Sequence, residues 1–179
     1  LSTITSRSQI IPLRPIPTNV IKEQLMLLGT EEPRADLIAR LSSGRIGWAL
    51  STLENDDELQ FRSDMLDILR DILAANRVGR MKQSEQMSRK IGRDKAQLQY
   101  VLEIWQTYWR DVLLESYGNP VKPCNSDRKD EIVHLVGQIT PEQAYDAMSA
   151  TRKAFQALST NANVQLVLDV LFLAYPGLK

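Results

Sequence analysis

The chain has 179 residues, with 22 Lys+Arg balanced by 22 Asp+Glu, one His, one Cys and 43% hydrophobic content. That length provides a real hydrophobic core for one large domain or two small ones, and eight Gly and eight Pro in a 25% charged chain exclude wholesale disorder. The lone Cys124 excludes an internal disulfide framework and fits a reducing compartment, and zero net charge excludes a global trap for nucleic-acid polyanions.

Residues 1–17 are the only stretch that reads as extended. Gln9-Ile10-Ile11-Pro12-Leu13 is apolar and β-branched, and Pro12, Pro15 and Pro17 stop any helix there. One strand cannot make a sheet alone, so the expectation is the end of a sheet whose other strands lie elsewhere. The opening Leu1-Ser2-Thr3-Ile4 lacks Met and has no basic segment before an apolar one, so it is not a signal peptide; a piece of a longer chain is expected.

From Thr18 onward the signals are helical. A helix from about Asn19 to Leu28 stops at Gly29. Thr30 to Pro33 opens a second, with Ala35, Ile38, Ala39 and Leu41 on one face. Ser42-Ser43-Gly44 breaks it, and a third carries Ile46, Ala49, Leu50 and Leu53. These three make a small bundle over residues 18–55.

Asn55 and Glu58, at capping-box spacing, open a much longer element carrying Leu59, Met65, Leu66, Leu69, Ile72 and Leu73. Its pattern fades after Met81, with Gly79 a candidate kink and Gly92 the next break. From Asp94 to Tyr117, Leu98, Val101, Leu102, Trp105, Tyr108, Trp109, Val112 and Leu113 keep helical spacing. Gly118-Asn119-Pro120 ends that helix, and a short one from about Asp127 to Gln138 follows. Thr140-Pro141-Glu142-Gln143 is the strongest helix start in the chain, combining an N-cap, a Pro at the first helical position and a capping-box Gln. Ala144, Met148, Thr151, Phe155 and Leu158 form its apolar face. The last helix, Asn163 to Ala174, is apolar on nearly every side, which suits a central rod buried all round or a subunit interface; Asp169 must then face outward or find a partner. The fold class expected is all-α, with a second bundle over residues 56–179.

Catalytic machinery is missing from this pattern. His134 lies in the apolar run Ile132-Val133-His134-Leu135-Val136 and reads as a half-buried structural His, apart from Cys124 and from any nucleophile. Neither the phosphate loop G-x-x-x-x-G-K-S/T nor G-x-G-x-x-G occurs, no metal-ligand cluster exists, and no run approaches the roughly 18 apolar residues of a membrane span. Charge is segregated, however. Glu54 to Asp71 holds seven acids against Arg62 and Arg70, and Arg77 to Lys95 holds seven bases against Glu85 and Asp94. Acids at a helix start and bases at its end match the helix dipole; the other reading is that the basic end meets a partner or nucleic acid, although no aromatics interleave those bases. Trp105 and Trp109 have two readings as well, core filling or interface anchors.

Three strings in order carry a family resemblance. Leu1-Ser2-Thr3-Ile4-Thr5-Ser6-Arg7-Ser8-Gln9, before an extended stretch and Pro, resembles the Ser-Arg-Cys motif of clamp-loader ATPases of the AAA+ superfamily, with Ser8 in place of the Cys. Ala39-Arg40-Leu41-Ser42-Ser43-Gly44-Arg45-Ile46-Gly47-Trp48-Ala49-Leu50 is similar to the lid signature of those proteins, and Leu158 to Asp169 is similar to the Asn-rich turn and apolar helix that end their collar domain. The resemblance implies that residues 1–17 end an AAA+ domain, 18–55 form the lid and 56–179 the oligomerising collar. ATP-hydrolysing members place a sensor-2 Arg three residues after the lid Gly, where this chain has Gly47. The resemblance therefore implies a non-hydrolysing subunit of the bacterial DNA polymerase III loader, with no cofactor of its own in this stretch. It also implies that Arg7, flanked by Ser6 and Ser8, is an arginine finger given in trans to a neighbour's ATP site. The implied partners are the tau/gamma and delta subunits through the collar, with the sliding clamp and primer-template DNA indirectly; the implied location is the cytoplasm, with no membrane contact. Two alternatives stay open: an ATP-hydrolysing tau/gamma-type subunit, and a helical module whose basic stretch binds nucleic acid.

Overall fold

The computed structural model describes residues 14–160 and 162–178. Among these, all regular structure is helical. The extended reading of Gln9 to Leu13 lies outside the described residues. The chain divides at Asn55/Asp56 into two compact units.

The first unit contains α1 (Thr18–Leu27), α2 (Glu32–Leu41) and α3 (Ile46–Glu54). Gly29, at φ +90°, ends α1 in the left-handed region that glycine tolerates, and the N–H groups of Gly29 and Thr30 return to the carbonyls of Met26 and Leu25 at 3.0 and 3.1 Å. The core is Ile21, Leu25, Ile38 and the small Ala35, Ala39 and Ala49, all fully buried. One expectation fails: Leu50 is exposed, and Thr52 is buried instead. The Thr52 hydroxyl donates to the Trp48 carbonyl at 2.9 Å within α3, which lets a polar side chain occupy the buried face.

The second unit contains α4 (Asp57–Ala74), α5 (Arg77–Ile91), α6 (Lys95–Ser116), a 3-10 turn (Ser126–Arg128), α7 (Lys129–Val136), α8 (Pro141–Leu158) and α9 (Val164–Ala174). The long element expected after Asn55 is thus two helices. Ala75 turns extended and Asn76 caps α5 by accepting from the Gly79 N–H at 2.9 Å, so the break precedes Gly79. The N-cap of α4 is Asp56, one residue later than the spacing of Asn55 and Glu58 suggests. Because acids and bases fall on different helices, a single dipole cannot explain both: Arg77 and Arg80 open α5, the wrong end for a cation. Thr140 and Gln143 do form the reciprocal capping box that starts α8.

α6 is the spine of this unit. It packs most extensively on α8 and also contacts α4, α5 and α7. Trp105 and Trp109 are fully buried on it. The Trp105 indole donates to the Met65 carbonyl at 2.8 Å, and its ring lies 5.8 Å from Phe172, while Trp109 lies 5.3 Å from Tyr175. Both tryptophans are core residues, which removes them as interface anchors.

Three buried ions join elements far apart in sequence. Arg62 of α4 holds Asp127 through two nitrogens at 2.7 and 2.9 Å and Asn125 at 2.6 Å. Asp111 of α6 accepts from the Asn125 backbone and side chain at 2.8 and 2.7 Å, so the loop before α7 is clamped from two helices. Arg80 of α5 reaches the carbonyls that end α4 and α9. Hydropathy cannot find such residues, since each reads as surface charge until its partners are known.

Candidate interaction surface

Arg7, with Ser6 and Ser8, lies outside the described residues. Pro15 and Ile16, which lead into the first unit, lie close to the turn at Gly44. The Ile16 N–H donates to the Gly44 carbonyl at 3.0 Å. Gly44 has φ +85°, and a Cβ there would sit 2.4 Å from Cβ of Pro15. Glycine is thus required both by the backbone conformation and by the close approach.

Gly47 is exposed in the first turn of α3, and a Cβ added to it would meet nothing within 4 Å. Space for a larger side chain exists there, and the sequence leaves it without one. Arg45, two residues earlier, folds its Nε back to the Ser42 carbonyl at 3.0 Å. It is committed to its own turn. Among the described residues no three His, Cys, Asp or Glu side chains are grouped to hold a metal ion, and no helix is long and apolar enough to cross a membrane. His134 is exposed, not half-buried, and its Nε2 pairs with Gln138 Nε2 at 2.7 Å one turn later. It lies on the solvent side of a short helix whose inward positions are Ile132 and Leu135.

An apolar groove lies between α8 and α9. It is about 640 Å³ in volume and has small side chains of α8 (Ala150, Ala154 and Ala157) on one wall, and Leu166, Val167 and Val170 of α9 on the other. α9 packs mainly on α5 and α8, and its Phe172 also meets Trp105 of α6; Leu168, Leu171 and Phe172 are buried. The expectation of a rod buried on all sides is corrected here. One side is open, leaving Leu166 62%, Val170 63% and Leu173 46% exposed. These positions recur at i, i+4 and i+7, one stripe of a helix, so the apolar excess that buries nothing internally forms one continuous strip. Asp169 does find partners: its Oδ1 accepts from Ser84 Oγ and, at 2.8 Å, from Gln165 Nε2.

Beneath this surface the Tyr175 hydroxyl shares a hydrogen bond with Thr151 Oγ1 at 2.8 Å. Complete burial raises that phenol's pKa well above its ordinary value. Tyr108, on α6, is pushed up to about 12, mainly by burial and further by Glu131. Neither phenol is poised for proton transfer near neutral pH, so both serve packing.

No known family's sequence profile matches the chain. The chain spans about half the length of the curated relative it matches, 52% of it. That match covers 173 residues, 97% of this chain, and therefore takes in both helical units. Over it the chain is 24% identical, and thus similar, to the DNA polymerase III subunit delta' of Bacillus subtilis (strain 168).

Proposed function

We propose that this chain is the lid and collar of a clamp-loader subunit of the delta-prime type, a non-hydrolysing component of the DNA polymerase III assembly that supports ATP-dependent loading of the sliding clamp. The observation that carries this reading is a likeness to a delta' subunit running through 97% of the chain. Residues 1–17 then end the AAA+ domain, 18–55 correspond to the lid and 56–179 to the collar. Gly47 stands where an ATP-hydrolysing sibling would hold its sensor-2 arginine, and the nearby Arg45 turns its Nε to the Ser42 carbonyl, which supports a lid without a sensor-2 guanidinium.

Arg7 acts in trans in this reading. Phosphoryl transfer spreads negative charge over the γ-phosphate oxygens, and a planar, permanently charged guanidinium can meet two of them at once. The subunit whose ATP is hydrolysed is a tau/gamma-type neighbour. The collar meets tau/gamma and delta through apolar surface, for which the α8–α9 groove has the right character: an exposed aliphatic stripe beside Ala150, Ala154 and Ala157, with Asp146, Ser149 and Lys153 at the polar edge. The clamp and primer-template DNA are reached through those subunits.

The test is Arg7→Ala in the full-length protein, reassembled with its loader subunits. DNA-stimulated ATP hydrolysis is expected to fall by about tenfold or more while the assembly elutes intact, and Arg7→Lys is expected not to restore it. Full hydrolysis by the Ala variant overturns the finger, and hydrolysis by the subunit alone overturns the non-hydrolysing reading.

A further inference from the structure

The two halves of the charge segregation are treated differently by the fold of the second unit. The acids of α4 are engaged. Glu58 accepts from the Tyr100 hydroxyl at 3.0 Å, Asp64 from Gln60 at 2.8 Å, and Asp67 pairs with both Arg70 and Arg128. Among the bases of α5, Arg80 is buried under the α9 C-terminus and Arg89 pairs with Glu85. Arg77 and Lys82 have no ion pair among the described residues, whereas Lys90 lines a separate groove with Asp64 and Asp71. The zero net charge therefore hides an uncompensated positive face.

That face is also apolar. Val78 is 66% exposed and Met81 39%, and together with Lys82, Glu85, Arg89 and Gln165 they line a shallow depression of about 490 Å³. Arg77 and Met81 are one turn apart, as are Val78 and Lys82, so cationic and apolar side chains alternate on one patch of helix. The one acid on it, Glu85, is neutralised by Arg89. Asp169 of α9, behind Gln165, has its Oδ1 occupied by Ser84 and Gln165.

We propose that this outer face of α5 docks an acidic, amphipathic peptide segment of a partner protein, whose apolar side chain seats over Val78 and Met81 while its carboxylates meet Arg77 and Lys82. Charge complementarity selects an acidic ligand, and the exposed Val and Met at the centre select a protein segment over nucleic acid. A phosphate backbone gains nothing from aliphatic contacts, and the depression is lined by no aromatic side chain on which a base could stack. The α8–α9 groove is lined by other residues, so this docking site stands or falls apart from the clamp-loader reading.

The test uses fluorescence anisotropy of the full chain with three labelled probes: a short peptide of Asp-Asp-Leu repeats, the same peptide with Ser replacing Leu, and a single-stranded oligothymidylate. The Leu peptide is expected to bind saturably, and the Ser peptide at least about tenfold more weakly. Val78→Ser and Lys82→Glu, both at exposed positions and checked by circular dichroism, are each expected to weaken the Leu peptide by about tenfold, a loss of about 1.4 kcal/mol. Lys129→Glu, on α7, is expected to leave binding unchanged. Equal binding of the two peptides, indifference to both variants, loss on Lys129→Glu equal to that on Lys82→Glu, or preference for the oligonucleotide overturns the proposal, the last assigning the face to nucleic acid.

Discussion

The guanidinium of Arg80, near the start of α5, donates to the carbonyl of Tyr175, just past the end of α9, at 2.5 Å. The same group reaches Phe172, Pro176 and Leu73 carbonyls at 3.0, 2.6 and 3.2 Å, and its Nε reaches Ala75 at 3.2 Å. A helix leaves its last carbonyls without internal partners, and here one cation serves the ends of two helices. Burial without a counter-ion lowers the Arg80 pKa from its ordinary value, yet a guanidinium stays charged under ordinary conditions.

Arg80→Met keeps the aliphatic stem and removes the donors. It is expected to destabilise the second unit by about 3 kcal/mol, since buried carbonyls lose charged partners. Arg80→Lys should recover only part, because one ammonium cannot cover the span of a forked guanidinium. Urea denaturation followed by circular dichroism measures both, and equal stability of Met and wild type would refute the staple.

Leu168 and Val170 lie two residues apart on opposite sides of α9, one fully buried and one 63% exposed. Leu168→Ala is expected to cost about 2–5 kcal/mol by leaving a cavity against the core, and to lower the melting temperature of the second unit. Val170→Asp should change that temperature little. If the α8–α9 groove takes a neighbouring collar, the Asp variant should nevertheless fail to co-elute with the other loader subunits on size-exclusion chromatography. Normal co-elution would remove the groove from the assembly.

At Gly44 the close approach of Pro15 and the left-handed backbone act together. Gly44→Ala is expected to destabilise the first unit by about 1–3 kcal/mol, seen as faster amide exchange in α2 and α3 than in the second unit. Gly47→Ala, with open space around its Cβ, should match the wild type or exceed it slightly through the higher helix propensity of alanine.

The buried phenols make stability fall at alkaline pH. Tyr108 holds its proton to about pH 12 when folded, against an ordinary value of 10.0, and Tyr175 is shifted in the same direction. Below pH 10 folded and unfolded chains keep these protons alike, so nothing is lost. Between pH 10 and 12 the unfolded chain ionises first, and stability declines as pH rises, by up to about 2–3 kcal/mol from Tyr108. Phenolate absorbance and circular dichroism should then change together for the last tyrosines to ionise, and Tyr108→Phe should flatten the decline. Ionisation of all tyrosines with the helices intact would contradict the burial.

The sequence by itself determined the helical class, most helix limits and most of the core. Leu98 to Val112 repeats at helical spacing, Gly29 and Thr140 mark ends that local backbone chemistry dictates, and a periodic apolar face folds inward in almost any surroundings. The break at Asn76 is not legible in the sequence because an N-cap is a single side-chain hydrogen bond within an otherwise helical run. Tertiary structure alone decided which apolar and charged residues are used internally. α9 is apolar on nearly every side, yet its neighbours leave one side uncovered, so Leu166 and Val170 remain outside. Arg62 and Arg80 counted as ordinary members of charged stretches, and only the arrival of Asp127 and of the Tyr175 carbonyl, 65 and 95 residues away, turned them inward. Burial of an ion depends on partners that no local window contains. Only a family resemblance distinguishes Arg7 and Gly47 in the sequence. Gly47 proves to be an open, exposed position on α3, and the role of Arg7 belongs to an ATP site that a neighbouring subunit must supply.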